Sequence, residues 1–179
     1  MAKMKQPTLV AHRGHAEHCP ENSKSAFLDA IQIGASAIEF DIQLTQDKHP
    51  IVLHDETLER TTNLSGSVFD HKLSDLKSCS AHEPKRFHDQ FYFEPLLSVE
   101  ELGEIMQHHP DCEVFAEIKP ESIARFDLKT VVDGTLKALN KLSKQTIIIS
   151  MDADAVRYAK SVSDFRCGWV MHRWQPLGH

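Results

Sequence analysis

The chain has 179 residues, 41% of them hydrophobic, and a formal net charge of −6 at pH 7. This length suits one domain with a sizeable core. The negative charge, with no run of lysine or arginine, argues against nucleic acid or an anionic membrane surface as the main partner.

The first predicted elements form a strand–helix–strand unit. A strand is predicted over 8–11, and Gly14 just beyond it permits the backbone angles of a sharp turn. Apolar residues at helical spacing predict a helix over 24–33, with Asn22 or Ser23 as its N-cap. Because another strand follows this helix, the unit is expected to place its two strands parallel.

Residues 37–44 alternate between apolar and polar side chains, which is typical of a β-strand. Glu39 and Asp41 lie two apart, so their carboxylates share one face of this strand, roughly 7 Å apart. Two unpaired carboxylates in a core would be costly. A divalent cation held by oxygen ligands, Mg²⁺ or Ca²⁺, is the simplest compensation. A strand with one hydrated acidic face is the plainer alternative.

A polar segment follows the third predicted strand, which covers 51–53 and ends at His54. This segment, 56–95, is too long for an ordinary connection between two elements. We therefore expect it to form a small inserted subdomain over one end of the sheet.

Strands and helices alternate again in the second half of the chain. Strands are predicted over 113–118, 146–150 and 167–171, helices over 98–107, 127–142 and 153–161, and an irregular tail over 172–179. Alternation of this kind indicates a parallel sheet, open or closed. Polar side chains occur where the predicted strands end: His12, Arg13, Glu39, Asp41, His54, Glu117 and Lys119. In a (β/α) barrel those strand ends form the active face.

Several short motifs follow one another in order along the chain. They are His-Arg-Gly at 12–14, Pro-Glu-Asn at 20–22, Glu-x-Asp at 39–41, His-Asp at 54–55, Arg-Thr-Thr at 60–62 and Phe-Ala-Glu-Ile-Lys-Pro at 115–120. In this arrangement the sequence resembles glycerophosphodiester phosphodiesterases, members of the phospholipase C-like barrel group. The resemblance extends over nearly the whole chain.

The resemblance implies an α/β fold of the (β/α)₈ TIM-barrel type. It also implies metal-dependent hydrolysis of a glycerophosphodiester to sn-glycerol 3-phosphate and an alcohol. His12 and His54 would be the general acid–base pair. The divalent cation, Mg²⁺ or Ca²⁺, would be bound by Glu39, Asp41 and Glu117. The phosphate would be bound by Arg13 and Lys119. Glu21 and Asn22 match the family motif but are expected to have at most an indirect role.

The number of strands departs from the family pattern. A barrel of this type usually needs about 250 residues, whereas six strands are predicted here. The sequence therefore predicts a single barrel domain over 1–179, incomplete at its C-terminus, with 56–95 inserted. Missing strands would leave exposed edges, which association with another copy would cover. The alternative functions are a catalytically impaired barrel that binds a phosphate ligand and a lysophospholipase D-like hydrolase.

Cysteine spacing and the absence of apolar segments indicate the cellular setting. Cys19, Cys79, Cys112 and Cys167 are far apart and form no C-x-x-C pair, which predicts reduced thiols in a cytoplasmic protein. The N-terminus shows no signal peptide, and no apolar stretch approaches the roughly 20 residues of a membrane span. The expected partner is a small-molecule glycerophosphodiester, with no nucleic acid and no stable membrane anchor.

Two other pairs of residues attract attention in the sequence. His15 and His18, three apart, suggest a zinc site, but they lie in a predicted loop to which the matched pattern gives no role. Trp169 and Trp174 fit either the core or a substrate-facing position.

Overall fold

The computed structural model describes residues 8–171, which form a six-stranded sheet with helices packed against it. The predicted tail at 172–179, including Trp174, lies outside the described residues. The strands are β1 (Val10–His12), β2 (Ala37–Leu44), β3 (Pro50–Val52), β4 (Glu113–Ile118), β5 (Thr146–Ser150) and β6 (Arg166–Trp169). The order across the sheet is β1-β2-β4-β5-β6, with parallel pairing throughout, and β3 pairs antiparallel with β2.

The helices connect successive strands, as the alternation in the sequence predicted. They are α1 (Lys24–Gln32), α2 (Leu73–Leu76), α3 (Pro84–Phe87), α4 (Val99–Met106), α5 (Pro120–Phe126), α6 (Leu128–Ala138) and α7 (Ala153–Val162). Short 3₁₀ turns cover Val68–Asp70 and Asn140–Leu142. No helix within residues 8–171 combines the length and the apolar character that crossing a bilayer requires.

Side-chain caps determine where several helices begin. Ser23 accepts a hydrogen bond from the Ala26 N–H and is the N-cap of α1, which settles the choice between two candidate caps. Ser98 and Glu101 form a capping box at the start of α4. A carboxylate, that of Asp127, caps α6.

The second half differs from the predicted pattern at α5. The sequence predicts no helix between the strand over 113–118 and a single helix over 127–142. Instead Pro120 occupies the first turn of α5, where its missing N–H costs nothing. The expected longer helix is α6 followed by a 3₁₀ turn at Asn140–Leu142.

The main core lies on both faces of the sheet. Every residue of β2 is buried, including its polar members, because β2 lies between β1 and β4 and under helices. Phe27 of α1 packs edge-to-face against Phe40 of β2, with ring centroids 6.2 Å apart. A central strand buried on both sides has no hydrated face, so the plainer alternative for its acidic residues does not apply.

A second apolar cluster lies under the segment 56–95. Its buried members include Leu58, Val68, Phe69 and Leu76, which pack against Ile51 of β3. This cluster gives the segment an apolar interior of its own next to the antiparallel strand.

The register of the parallel strands determines which side chains meet at one end of the sheet. His12 of β1 is paired with Glu39 of β2, and Asp41 of β2 is paired with Glu117 of β4. The C-terminal ends of three neighbouring strands therefore carry the polar residues. Within residues 8–171 the sheet does not close, and β1 and β6 each pair with one neighbour.

Candidate active site

Three carboxylates converge at the C-terminal end of the sheet. Donor oxygens of Glu39, Asp41 and Glu117 all lie within 4.8 Å of one another. The strand period of two places Glu39 and Asp41 on one face of β2, and the neighbouring strand adds Glu117. The structure thus brings together all three residues for which the sequence predicted metal binding.

The electrostatics of this cluster fit a bound cation. Burial raises the pKa of Glu39 to about 8, and the negative charges of Asp41 and Glu117 add to that effect. Glu39 Oε1 is buried without a hydrogen-bond partner, and Asp41 Oδ1 has only the ion pair with Lys119 Nζ at 3.3 Å. Buried oxygens with incomplete hydrogen bonding are costly. A divalent cation would satisfy both oxygens, and an all-oxygen donor set suits Mg²⁺ or Ca²⁺.

Lys119 lies beside the carboxylates and is itself buried. Its Nζ is 3.3 Å from Glu117 Oε1, to which it donates a hydrogen bond, and 3.3 Å from Asp41 Oδ1. Burial acts to lower the pKa of the Lys119 ammonium, but the charges of Asp41 and Glu117 outweigh burial and raise that pKa. The ammonium therefore offsets part of the negative charge of the carboxylate cluster.

Arg13 contacts two residues of the carboxylate cluster. Its backbone N–H donates to Glu39 Oε2 at 3.1 Å, and its Nε lies 3.1 Å from Asp41 Oδ2. Asn22 donates from its amide to the same Asp41 oxygen at 2.9 Å. Both Arg13 and Asn22 adopt left-handed backbone angles, with φ of 57° and 56°, so the β1–α1 loop is shaped to direct polar groups at β2.

Gly14 makes this loop possible. Its φ is 78°, and a Cβ at this position would lie 2.6 Å from the backbone carbonyl carbon of Ala26 in α1. The loop after β1 therefore approaches α1 more closely than any side chain would allow.

The two predicted catalytic histidines differ in exposure and in partners. The His12 side chain is 67% exposed, and its Nε2 lies 3.8 Å from Glu39 Oε2. His54, just beyond β3, is 31% exposed, and its Nδ1 lies 2.6 Å from Asp55 Oδ1. An ionised Asp55 accepts a hydrogen bond from the Nδ1–H of His54, which leaves Nε2 of the neutral ring free as a proton acceptor.

A chain of ion pairs connects His54 to the carboxylate cluster. Arg60 donates to both oxygens of Glu21, each at 2.8 Å, and to Asp55 at 2.6 and 3.1 Å. Glu21 in turn accepts from Arg13 Nη1 at 3.0 Å. The sequence predicts at most an indirect role for Glu21 and none for Arg60, although both lie within the matched motifs.

Trp169 lies at the edge of the sheet rather than in the core. It is 58% exposed, and its indole N–H donates to the Met151 carbonyl at 3.1 Å. The core position expected as one alternative for Trp169 is therefore wrong, and the substrate-facing position stays a prediction.

Comparison with known proteins is consistent with this geometry. The model of the glycerophosphoryl diester phosphodiesterase family matches residues 12–167. A glycerophosphodiester phosphodiesterase from Caldanaerobacter subterraneus subsp. tengcongensis is 32% identical over 169 residues, covering 90% of this chain and 68% of the relative. One from Bacillus altitudinis is 36% identical over 118 residues, covering 66% of this chain and 47% of the relative.

Solved structures share the fold. A glycerophosphodiester phosphodiesterase from Agrobacterium tumefaciens matches with a TM-score of 0.72 at 27% identity, covering 90% of this chain and 66% of that one. A phosphodiesterase from Oleispira antarctica, in complex with the product sn-glycerol-3-phosphate, matches with a TM-score of 0.79 at 23% identity. This match covers 91% of the present chain and 65% of the Oleispira antarctica protein. The chain thus spans between about half and two thirds of the length of these proteins.

Proposed function

Because the chain belongs to the glycerophosphoryl diester phosphodiesterase family, we propose that it hydrolyses a glycerophosphodiester to sn-glycerol 3-phosphate and an alcohol. The observation that carries the proposal is the convergence of the buried Glu39, Asp41 and Glu117 beside His12. The chain shares a (β/α)-barrel type of fold with the solved relatives. In such folds the catalytic residues lie at the C-terminal ends of the strands.

Glu39, Asp41 and Glu117 would hold one divalent cation, for which we propose Mg²⁺ or Ca²⁺. Such a cation supplies positive charge that stabilises the negative charge growing on the phosphoryl oxygens. Glu39 must lose its proton before it can act as a ligand, since its pKa of about 8 leaves it largely neutral at pH 7. Asn22 keeps one Asp41 oxygen oriented from the side.

Arg13 and Lys119 would contact the phosphate of the substrate. Both side chains form ion pairs with Asp41, at 3.1 Å from Arg13 Nε and 3.3 Å from Lys119 Nζ. A phosphate bound beside the carboxylate cluster would accept hydrogen bonds from these two side chains, which would orient the phosphodiester relative to the histidines.

His12 and His54 would exchange the protons that the reaction requires. One takes a proton from the attacking hydroxyl, which belongs either to the substrate's own glycerol or to water. The other donates a proton to the leaving alkoxide. Each such transfer typically contributes about 10²–10⁴-fold to the rate. The pairing of His54 Nδ1 with Asp55 supports a role at its other ring nitrogen.

The free thiols support a proposed location, and the open sheet edges support proposed self-association. All four cysteines are free, which supports a reducing, cytoplasmic location. The proposed partner is a small glycerophosphodiester rather than a nucleic acid. Self-association would cover the strand edges that the described part of the sheet leaves open.

The proposed activity is tested by incubating the full chain with glycerophosphocholine and either Mg²⁺ or Ca²⁺. Released sn-glycerol 3-phosphate is detected with a coupled dehydrogenase. Product release that stops on chelation supports the proposal. Absence of product with both metals favours a barrel that only binds phosphate, and product from lysolipids alone favours a lysophospholipase D-like hydrolase.

His12→Ala and His54→Ala test the assignment of the proton-transfer groups. We expect each variant to lose at least about 10²-fold in kcat while metal binding, measured by titration calorimetry, stays unchanged. His49→Ala is a matched control, because His49 is an exposed histidine in the turn between β2 and β3. A near-normal rate in either of the first two variants would remove that histidine from the mechanism.

A further inference from the structure

A second group of metal-ligating side chains lies in the loop between β1 and α1. His15, Glu17 and His18 each offer a donor atom within 4.8 Å of the other two. The imidazole rings of the two histidines are 4.4 Å apart between centroids. Glu17 and His18 are exposed and His15 is half-buried, so a cation in solution has access to all three.

A fourth residue fixes the orientation of the half-buried histidine. Asp29 of α1 accepts a hydrogen bond from Nδ1 of His15, with Oδ2 at 2.5 Å. This contact keeps the proton on Nδ1 and leaves Nε2 as the free donor. Metal-ligating histidines commonly donate their other nitrogen to a carboxylate in this way, which fixes the ring and strengthens the ligand.

The backbone of the loop is held from two sides. The N–H of His15 donates to the Ala26 carbonyl at 2.9 Å, and the His15 carbonyl accepts from His18 and Cys19 at 3.1 and 3.0 Å. Arg86 donates to the Ala16 carbonyl at 2.6 Å. Because the turn is already formed, binding of a cation would cost little backbone entropy.

We propose that His15, Glu17 and His18 form a second metal site, specific for zinc or a similar transition cation. Two imidazole nitrogens and one carboxylate are a donor set that zinc accepts, with a fourth position left to water. Magnesium and calcium prefer oxygen ligands. The site therefore differs in chemistry from the all-oxygen cluster on β2 and β4.

The present geometry needs only a small adjustment to bind zinc. Zinc–nitrogen bonds of about 2.1 Å in a tetrahedral site place donor atoms about 3.4 Å apart. The side chains of Glu17 and His18 are exposed, so rotation about their own bonds closes the remaining distance. The neighbouring Cys19 thiol is buried, and burial raises its pKa, so we do not count it among the ligands.

Zinc bound at this site would stabilise the segment that contains His12 and Arg13. The ligands are joined to α1 through Asp29 and to the inserted segment through Arg86. A cation that binds the folded chain more tightly than the unfolded chain raises the melting temperature. The proposal does not depend on hydrolase activity, so it stands or fails separately from the proposed function.

The test is calorimetric titration of the full chain with zinc in the presence of excess Mg²⁺, which occupies the oxygen cluster. We expect one zinc ion per chain, and a loss of this binding in His15→Gln and in His18→Gln. Asp29→Asn should weaken zinc affinity by about 10–100-fold while leaving the stoichiometry unchanged. Zinc should raise the melting temperature of the wild type but not that of His18→Gln.

The control is the double variant His108→Gln/His109→Gln, which removes an exposed and a half-buried histidine from another loop. It should keep zinc binding, as should Cys19→Ser. His18 is exposed, so its substitution leaves the fold intact even where His15→Gln fails to fold. The proposal is overturned if the wild type binds no zinc, if His18→Gln binds as the wild type does, or if the double variant loses binding equally.

Discussion

At the scale of single residues, Arg60 is placed to govern the orientation of His54. Its hydrogen bonds and charge lower the pKa of Asp55 to about 2. Burial opposes ionisation of Glu21, but Arg60 and Arg13 outweigh burial and lower the pKa of that carboxyl as well. Both carboxylates therefore stay ionised at neutral pH, and Asp55 remains an acceptor for the Nδ1 proton of His54.

This arrangement predicts that Arg60→Met lowers turnover without removing any proposed catalytic group. We expect kcat to fall by about 10- to 100-fold, because small misplacements of a catalytic group have effects of this size. Arg60→Lys should restore part of the loss. Steady-state kinetics supply the rates, and ¹⁵N shifts of the His54 ring report whether the proton has left Nδ1.

Arg157→Met is the control for Arg60→Met, since Arg157 forms an ion pair with Asp154 in which both side chains are 73% exposed. Exposed pairs of this kind contribute little, so its kcat should be unchanged. An unaltered kcat and an unaltered His54 spectrum in Arg60→Met would show that the ion-pair chain has no positioning role.

The raised pKa of Glu39 predicts how the stability of the metal-free protein depends on pH. Between the ordinary value of 4.5 and the folded value of about 8, the folded state binds a proton that the unfolded state has released. The free energy of unfolding should therefore fall as pH rises through this range, by up to about 1.4 kcal/mol per pH unit for one proton. Denaturant unfolding at pH 5, 6.5 and 8 with a chelator measures the slope.

Two comparisons isolate the contribution of Glu39 to that slope. Glu39→Gln should flatten it, whereas Glu100→Gln, a change at an exposed glutamate of α4, should leave it as it is. Saturating Mg²⁺ should abolish the slope, because the cation keeps Glu39 ionised in the folded state, as it already is in the unfolded state over this range. A slope that is equal in Glu39→Gln and in wild type would place the titrating group elsewhere.

The spacing of residues in the sequence accounts for part of this site only. Glu39 and Asp41 could be placed on one face because a strand has a period of two. The partnership of Arg60 with Glu21 spans 39 positions and depends on how the loops fold against each other. No local pattern reports such a contact, so the sequence reveals the residues through their motifs but not the ion pairs between them.

At the scale of elements, the β1–α1 connection is the most tightly constrained loop of the site. Gly14→Ala combines a left-handed backbone angle with a collision against the Ala26 backbone. Left-handed angles alone cost a residue with a Cβ about 1–2 kcal/mol. We expect Gly14→Ala to cost more than that, and to lower cation affinity because Arg13 moves with the loop. Chemical denaturation and metal titration measure the two effects.

Gly34→Ala provides the matched comparison for Gly14→Ala. Gly34 also has a positive φ, of 98°, but a Cβ there meets nothing within 4 Å. This variant should therefore show only the backbone cost and should keep its cation affinity. Equal losses in both variants would mean that the close approach to α1 has no energetic consequence.

Elements with strong local signals were predicted within a residue or two. The bounds of β2, β4 and β5 agree with the sequence pattern, because each is a run of alternating or β-branched residues. The helix α5 was missed, since Pro120 ends a strand and begins a helix with equal ease. Context from the sheet, which the local sequence lacks, decides between the two.

At the scale of the whole molecule, contacts with the inserted segment hold the active-site end of the sheet together. Glu94 is buried and accepts hydrogen bonds from the backbone and the hydroxyl of Ser25 in α1. Glu83 accepts one from the backbone N–H of Glu21. We therefore propose that 56–95 is a subdomain within one domain, and that it supports the loop that carries Glu21 and Asn22.

The strand edges of the described structure lead to the last prediction. Among residues 8–171, neither β1 nor β6 has a second neighbouring strand. Apolar side chains are exposed along both edges, with Leu9 at 74% on one side and Trp169 at 58% and Met171 at 60% on the other. Unpaired edges with apolar side chains favour pairing with another chain.

We therefore expect the chain to self-associate through these edges as its concentration rises. Trp169→Lys should weaken the association, because a charge on an edge strand opposes edge-to-edge pairing. Val162→Lys is the control, since Val162 is a comparably exposed apolar residue on α7 rather than on an edge. Sedimentation velocity over a range of concentrations measures both variants. A monomer at all concentrations, or equal weakening by the two substitutions, would show that the open edges do not mediate association.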